Sequence, residues 1–181
     1  MWNLSLSKLA RSILLFYAAT AIASSEKVSL TTLYSFCSQT NCADGSTPYA
    51  GLVQASDGSF LGTTSLGGAD SGGTVFKINA KGRLTTLYSF CAQTGCTDGN
   101  KPYAGLLQAL NGNFYGTTEA GGADADGTVF KITPSGTLTV LHSFEGSDGF
   151  TPYAGLMQAA DRNFYGTTGG GESGPNVSGT N

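Results

Sequence analysis

Four cysteines are the first residues whose types and spacing suggest chemistry: Cys37 with Cys42, and Cys91 with Cys96, each pair in the pattern C-x4-C. Thiols so spaced form either a local disulfide or half of a zinc site. A third copy of the same segment bears on the choice. Phe144 to Gly149 lacks four positions present in Phe90 to Gly99, and the deletion removes both cysteines together. Residues that come and go with one loop extension are most simply bonded to each other in an exported chain. One zinc would also have to gather thiols from two stacked sheets roughly 10 Å apart. Two disulfides, Cys37 to Cys42 and Cys91 to Cys96, are the expectation.

Asp44, Asp98 and Asp148 recur in D-G-x-x-P, and Tyr49, Tyr103 and Tyr153 follow the prolines. Calcium needs six or more oxygens, and these loops offer one carboxylate each, so an Asx-turn explains Asp-Gly better than a metal. The tyrosines should occupy matching positions on one rim. They pack between neighbouring sheets or, if exposed, stack against sugars or a protein partner. These six residues are the candidate ligand or partner contacts. His142 replaces Tyr34 and Tyr88 of the other copies, and no nucleophile motif surrounds it, so packing is favoured over catalysis. The Gly-Gly loops open no helix, which excludes a P-loop phosphate site. No cofactor and no metal site is expected.

The elements that must position these residues come from internal repetition. The 21 residues from Asp98 to Thr118 recur from Asp44 and from Asp148, with 13 positions identical in all three copies, which is enough to read a stacked array of one supersecondary unit. Each unit carries four runs with strand character: L-[YH]-S-F, G-L-x-Q-A, F-[LY]-G-T-T and G-T-V-F-K-I. Asp57-Gly58 and Asn111-Gly112 predict two-residue type I′ hairpins, and Asp161-Arg162 a looser turn. Thr128, Phe130 and Ile132 share one parity and Val129 lies opposite, as suits a sheet covered on both faces. Four strands in about 50 residues is propeller-blade spacing. The fold class is therefore all-β, a β-propeller-like tandem repeat of four-stranded units. Unit 1 spans about 28–78, unit 2 about 82–132 and unit 3 about 136–181. The third lacks its G-T-V-F-K-I, so the expectation is an incomplete propeller with open strand edges that invite self-association.

Charged residues make up 12% of the 181, the net charge is −3, and Lys and Arg are scattered singly. That leaves no basic footprint for nucleic acid. Lys8 and Arg11, the apolar run Ser12 to Ile22 and the sequence Ala21-Ile22-Ala23 read as a signal peptide over residues 1–23, cleaved near Ala23. The apolar run is shorter than the roughly 20 residues a bilayer span needs. A secreted or cell-surface protein with no membrane span in its mature chain, 24–181, is expected.

The segments L-Y-S-F-C-x4-C-x-D-G, P-Y-A-G-L-x-Q-A, F-Y-G-T-T and G-T-V-F-K-I resemble the GloVer tandem repeat over residues 30 to 168. That repeat occurs in exported, surface-associated bacterial proteins with various C-terminal anchors. The resemblance implies a propeller-like β repeat outside the cytoplasm and implies no activity. The expected role is a non-enzymatic module that binds or scaffolds a glycan or a protein. The competing class is a polysaccharide-acting enzyme, which should show repeat-breaking carboxylates clustered on one face.

Overall fold

Runs rich in threonine, valine and aromatic residues become strands wherever a glycine-bearing turn lets the chain reverse. In the computed structural model, which describes residues 29–171, these are β1 (Val53–Gln54), β2 (Phe60–Thr64), β3 (Thr74–Ile78), β4 (Leu84–Ser89), β5 (Leu107–Gln108), β6 (Phe114–Thr118), β7 (Thr128–Ile132), β8 (Leu138–Ser143), β9 (Met157–Gln158) and β10 (Phe164–Tyr165). The expected signal peptide and the final G-T at residues 179 and 180 lie outside the described residues. The strands form two four-stranded sheets, β1-β2-β3-β4 and β5-β6-β7-β8, and a β9-β10 hairpin. Every pairing is antiparallel between chain neighbours. The architecture is all-β and propeller-like, as the repeat predicts.

The sheets, however, begin at a different point of the repeat. L-Y-S-F, read from sequence as the opening strand of its unit, closes the sheet of the preceding one: β4 pairs with β3, and β8 with β7. Loop length decides this. Between β3 and β4 the chain turns tightly, with Gly82 N–H donating to Asn79 O at 2.9 Å and Asn79 N–H to Arg83 O at 3.2 Å. So short a link leaves β4 nowhere to go but beside β3, whereas the long segment from Phe90 to Leu106 carries the chain to the next sheet. The first L-Y-S-F, at residues 33–36, has no G-T-V-F-K-I before it among the described residues and forms no strand.

The sheets pack face to face. Leu61 and Val75 of the first meet Leu106, Phe114, Phe130 and Ile132 of the second, with Phe90 between. β6 is buried at all five positions, the signature of a strand covered on both sides. Each fully buried phenylalanine contributes about 2–3 kcal/mol by area. The strand glycine of F-Y-G-T-T makes room for them: a Cβ on Gly116 would stand 2.7 Å from Phe130 Cζ, so the ring lies against bare backbone. Buried threonine hydroxyls satisfy each other across the pair, Thr118 Oγ1 to Thr128 Oγ1 at 2.8 Å.

The hairpins differ from expectation. Gly58 N–H donates to Ala55 O at 2.9 Å, Ala55 N–H to Ser59 O at 2.8 Å, and Gly58 has φ +81°. This is a three-residue loop, a type I turn closed by a left-handed residue. A type I′ turn would need positive φ at Asp57 as well, and Asp57 instead accepts Ser59 N–H at 3.0 Å. The third hairpin is no looser. Arg162 takes φ +70° and keeps the same two bonds, at the cost of a left-handed non-glycine residue.

Candidate functional site

A bulge between Val75 and Phe76 shifts the register of β4 and re-aims Tyr88. Its hydroxyl donates to Asp98 Oδ2 at 2.8 Å, and the same carboxylate accepts the N–H groups of Ala92 at 3.0 Å and Gln93 at 3.3 Å. The first repeat builds the same clasp. Asp44 accepts from Tyr34 Oη at 2.7 Å, Ser38 N at 3.0 Å, Ser38 Oγ at 2.8 Å and Gln39 N at 3.3 Å. Asp44 and Asp98 have 0% exposure. The expectation for them is corrected twice: they bond backward along the loop rather than in Asx-turns, and they face inward rather than toward a ligand. Asx-turns sit instead in the hairpins, at Asp57, Asn79, Asn111 and Asp161. Burial pushes the Asp44 carboxyl up, but the donors around it outweigh burial and bring it to about 2. Burial, then the Asp98 carboxylate, pushes the Tyr88 phenol up.

The cysteines lie in the same loops and are paired as expected, Cys37 with Cys42 and Cys91 with Cys96. Cys96 O accepts Gly99 N–H at 2.9 Å and Gly122 N–H at 3.0 Å, which ties the stapled loop to the Gly-Gly connection of its own repeat. In the third repeat His142 takes the place of the tyrosine. Its Nε2 lies 2.7 Å from Asp148 Oδ2, and Glu145 N–H donates to Oδ1 at 2.9 Å. The Glu145 amide, and after it His142, hold the Asp148 carboxyl below its ordinary value against the opposing effect of burial. His142 stacks edge-on against Phe144 as Tyr88 does against Phe90. Both members of this clasp are exposed, 48% and 40% by side chain.

Tyr49, Tyr103 and Tyr153 are brought together. Their rings form one row, 5.5 Å from Tyr49 to Tyr103 and 5.7 Å from Tyr103 to Tyr153. Tyr49 is 71% and Tyr153 55% exposed, and Tyr103, flanked on both sides, is half-buried. The P-Y-A-G segments that carry them ride on one another. Thr63 Oγ1 donates to Ala104 O at 2.9 Å and Thr117 Oγ1 to Ala154 O at 3.1 Å, each bond crossing from one repeat to the next. A Cβ on Gly105 would stand 3.3 Å from Gly51 O, and one on Gly155 3.3 Å from Gly105 O, so the glycines permit this approach. The tyrosines thus lean on each other at interplanar angles of 38° and 53°, with the two outer rings exposed, instead of filling the space between sheets.

Two residues beside the row were not singled out from sequence. Lys101 Nζ lies 3.5 Å from Glu119 Oε2, and Tyr153 Oη donates to Glu119 Oε1 at 3.2 Å. Oε2 is buried without a hydrogen bond among the described residues. Glu119, before other causes, pushes the Tyr153 phenol up. The signal was available as a departure from the repeat: the matching pairs are Thr47 with Ser65, whose hydroxyls lie 2.7 Å apart, and Thr151 with Gly169.

A cavity of about 540 Å³ opens between the second sheet and the β9-β10 hairpin, lined by Val129, Phe144, Pro152, Leu156 and Phe164. Among the described residues no three of His, Cys, Asp and Glu gather to hold a metal, and no helix is long and apolar enough to cross a membrane.

A family model described as the Gloeobacter/Verrucomicrobia repeat matches residues 20–180. No curated protein matches the chain. Among solved structures, the chain is similar to the selenomethionine-substituted virginiamycin B lyase from Staphylococcus aureus at 17% identity and a TM-score of 0.43. The match covers 64% of this chain and 33% of the lyase, so the chain spans about a third of that protein's length.

Proposed function

We propose that this chain, which belongs to the Gloeobacter/Verrucomicrobia repeat family, is an exported, non-catalytic binding module whose contact surface is the tyrosine row. The observation that carries the reading is the joining of Tyr49, Tyr103 and Tyr153 into one aromatic line with exposed ends, next to repeats whose aspartates Asp44 and Asp98 are turned inward. Aromatic faces with polar tips suit contact with a glycan or a protein. Two disulfides fit an oxidising compartment, and the sequence of residues 1–23 supplies the export signal.

Capture on cell-envelope fractions tests the reading. The full chain should be retained, and a Tyr49→Ala, Tyr153→Ala double variant should lose most of that retention. Loss after periodate treatment of the fraction identifies a glycan, and loss after protease a protein. Retention indifferent to both tyrosines would remove the row from the function. Mass spectrometry of the culture medium should find the chain without residues 1–23.

A further inference from the structure

We infer that the tyrosine row takes a linear, uncharged polysaccharide, laid along it so that successive sugar rings meet successive tyrosines and Lys101, paired with Glu119, donates hydrogen bonds to their hydroxyls. The inference rests on the binding reading above and names its ligand. Periodicity is the first argument. The two ring spacings, 5.5 and 5.7 Å, agree closely, so a ligand that fits one step fits the next only if its own units repeat uniformly.

Area is the second. A stable protein interface needs roughly 800 Å² from each side. Three tyrosines of about 150–250 Å² each, partly covering one another, fall short of that. A few sugar rings do not need as much.

Charge is the third. Lys101 and Glu119 face each other at 3.5 Å, so the pair carries no net charge toward a ligand. Glu119 is tethered by Tyr153, while Lys101 is 40% exposed by side chain and offers donors to ligand oxygens. An acidic polymer would gain little from a cation already compensated, whereas a neutral chain of hydroxyls matches a site of aromatic faces and one fixed polar pair.

Calorimetric titration of the full chain with cellohexaose, laminarihexaose, mannohexaose, polygalacturonate and decaproline tests the assignment. At least one uncharged hexasaccharide should bind, with affinity changing less than threefold between low and high salt. Tyr49→Ala should weaken binding tenfold or more. Tyr153→Phe, which keeps the ring and drops the bond to Glu119, should weaken it only a few-fold. Both positions are exposed, and unchanged circular dichroism and melting temperature check that the variants fold. The inference is overturned if no uncharged hexasaccharide binds, if polygalacturonate alone binds, or if Tyr49→Ala leaves sugar affinity unchanged. Decaproline binding that depends on Tyr49, with no sugar bound, would also overturn it while leaving the row as a protein-binding surface. Tyrosine-independent binding of every probe would remove both readings.

Discussion

The second and third repeats hold a carboxylate at the same point in two different ways. Asp98 is sealed from water, receives a tyrosine hydroxyl and two backbone amides, and sits inside a loop stapled by Cys91 and Cys96. Asp148 is exposed, faces a histidine, and takes one amide in a loop four residues shorter with no staple. The constant is the carboxylate that gathers the loop after the fourth strand. Burial and the disulfide are additions, and the chain keeps its course into P-Y-A-G-L without them.

Asp98→Ala should be the most damaging change to this pair of clasps. It orphans a phenol and two amides around a sealed site, and at about 1–3 kcal/mol per unsatisfied buried group the loss should reach about 3 kcal/mol or more. Asp148→Ala, where water reaches the same atoms, should cost about 1 kcal/mol. Equal losses in urea unfolding would break the comparison. Replacing Cys91 and Cys96 together by serine should cost about 2 kcal/mol on the loop-entropy model. Thiol counting should give no free cysteine before reduction and four after it.

Acid should act on the Asp44 clasp. The Asp44 carboxyl lies at about 2 in the folded chain against an ordinary 3.8, so its contribution is fully present above the unfolded value and lost as pH falls from about 3.8 to about 2. Circular dichroism followed through that window should show weaker acid sensitivity in Asp44→Asn. In the third hairpin, Arg162→Gly should raise stability by about 1 kcal/mol, because it relieves a left-handed arginine where the first two repeats have Gly58 and Gly112. His142→Tyr, which restores the residue of the other two clasps, should change stability by no more than about 0.5 kcal/mol. A larger effect would show that the histidine does something the tyrosines do not.

The strands and the all-β repeat were legible because threonine-rich and aromatic runs recur between the same glycines three times. The phase was not, since a repeating sequence has no intrinsic beginning and only the tight Asn79 to Arg83 turn assigns L-Y-S-F to the sheet before it. The aspartates misled because Asp-Gly has a strong local explanation. The donors to Asp98, for example, lie five and six residues back and in the preceding strand, which a local rule does not see. The cysteine pairing was legible from the deletion in the third repeat. The tyrosines were legible as equivalent residues but not as neighbours, because their contact depends on how closely Gly51, Gly105 and Gly155 let the backbones approach. Lys101 and Glu119 depart from the residues at the matching positions of the other repeats, but that departure has meaning only once the two are seen to meet.

Because each sheet takes its last strand from the start of the following sequence period, a crossover between any two periods would splice whole sheets to whole sheets. Unequal recombination could then lengthen or shorten the array without leaving a mismatched junction, and every gained copy would add one more ring to the aromatic line. Copy number would in that way set the length of the aromatic line, a trait that evolution could adjust without redesigning a single side chain.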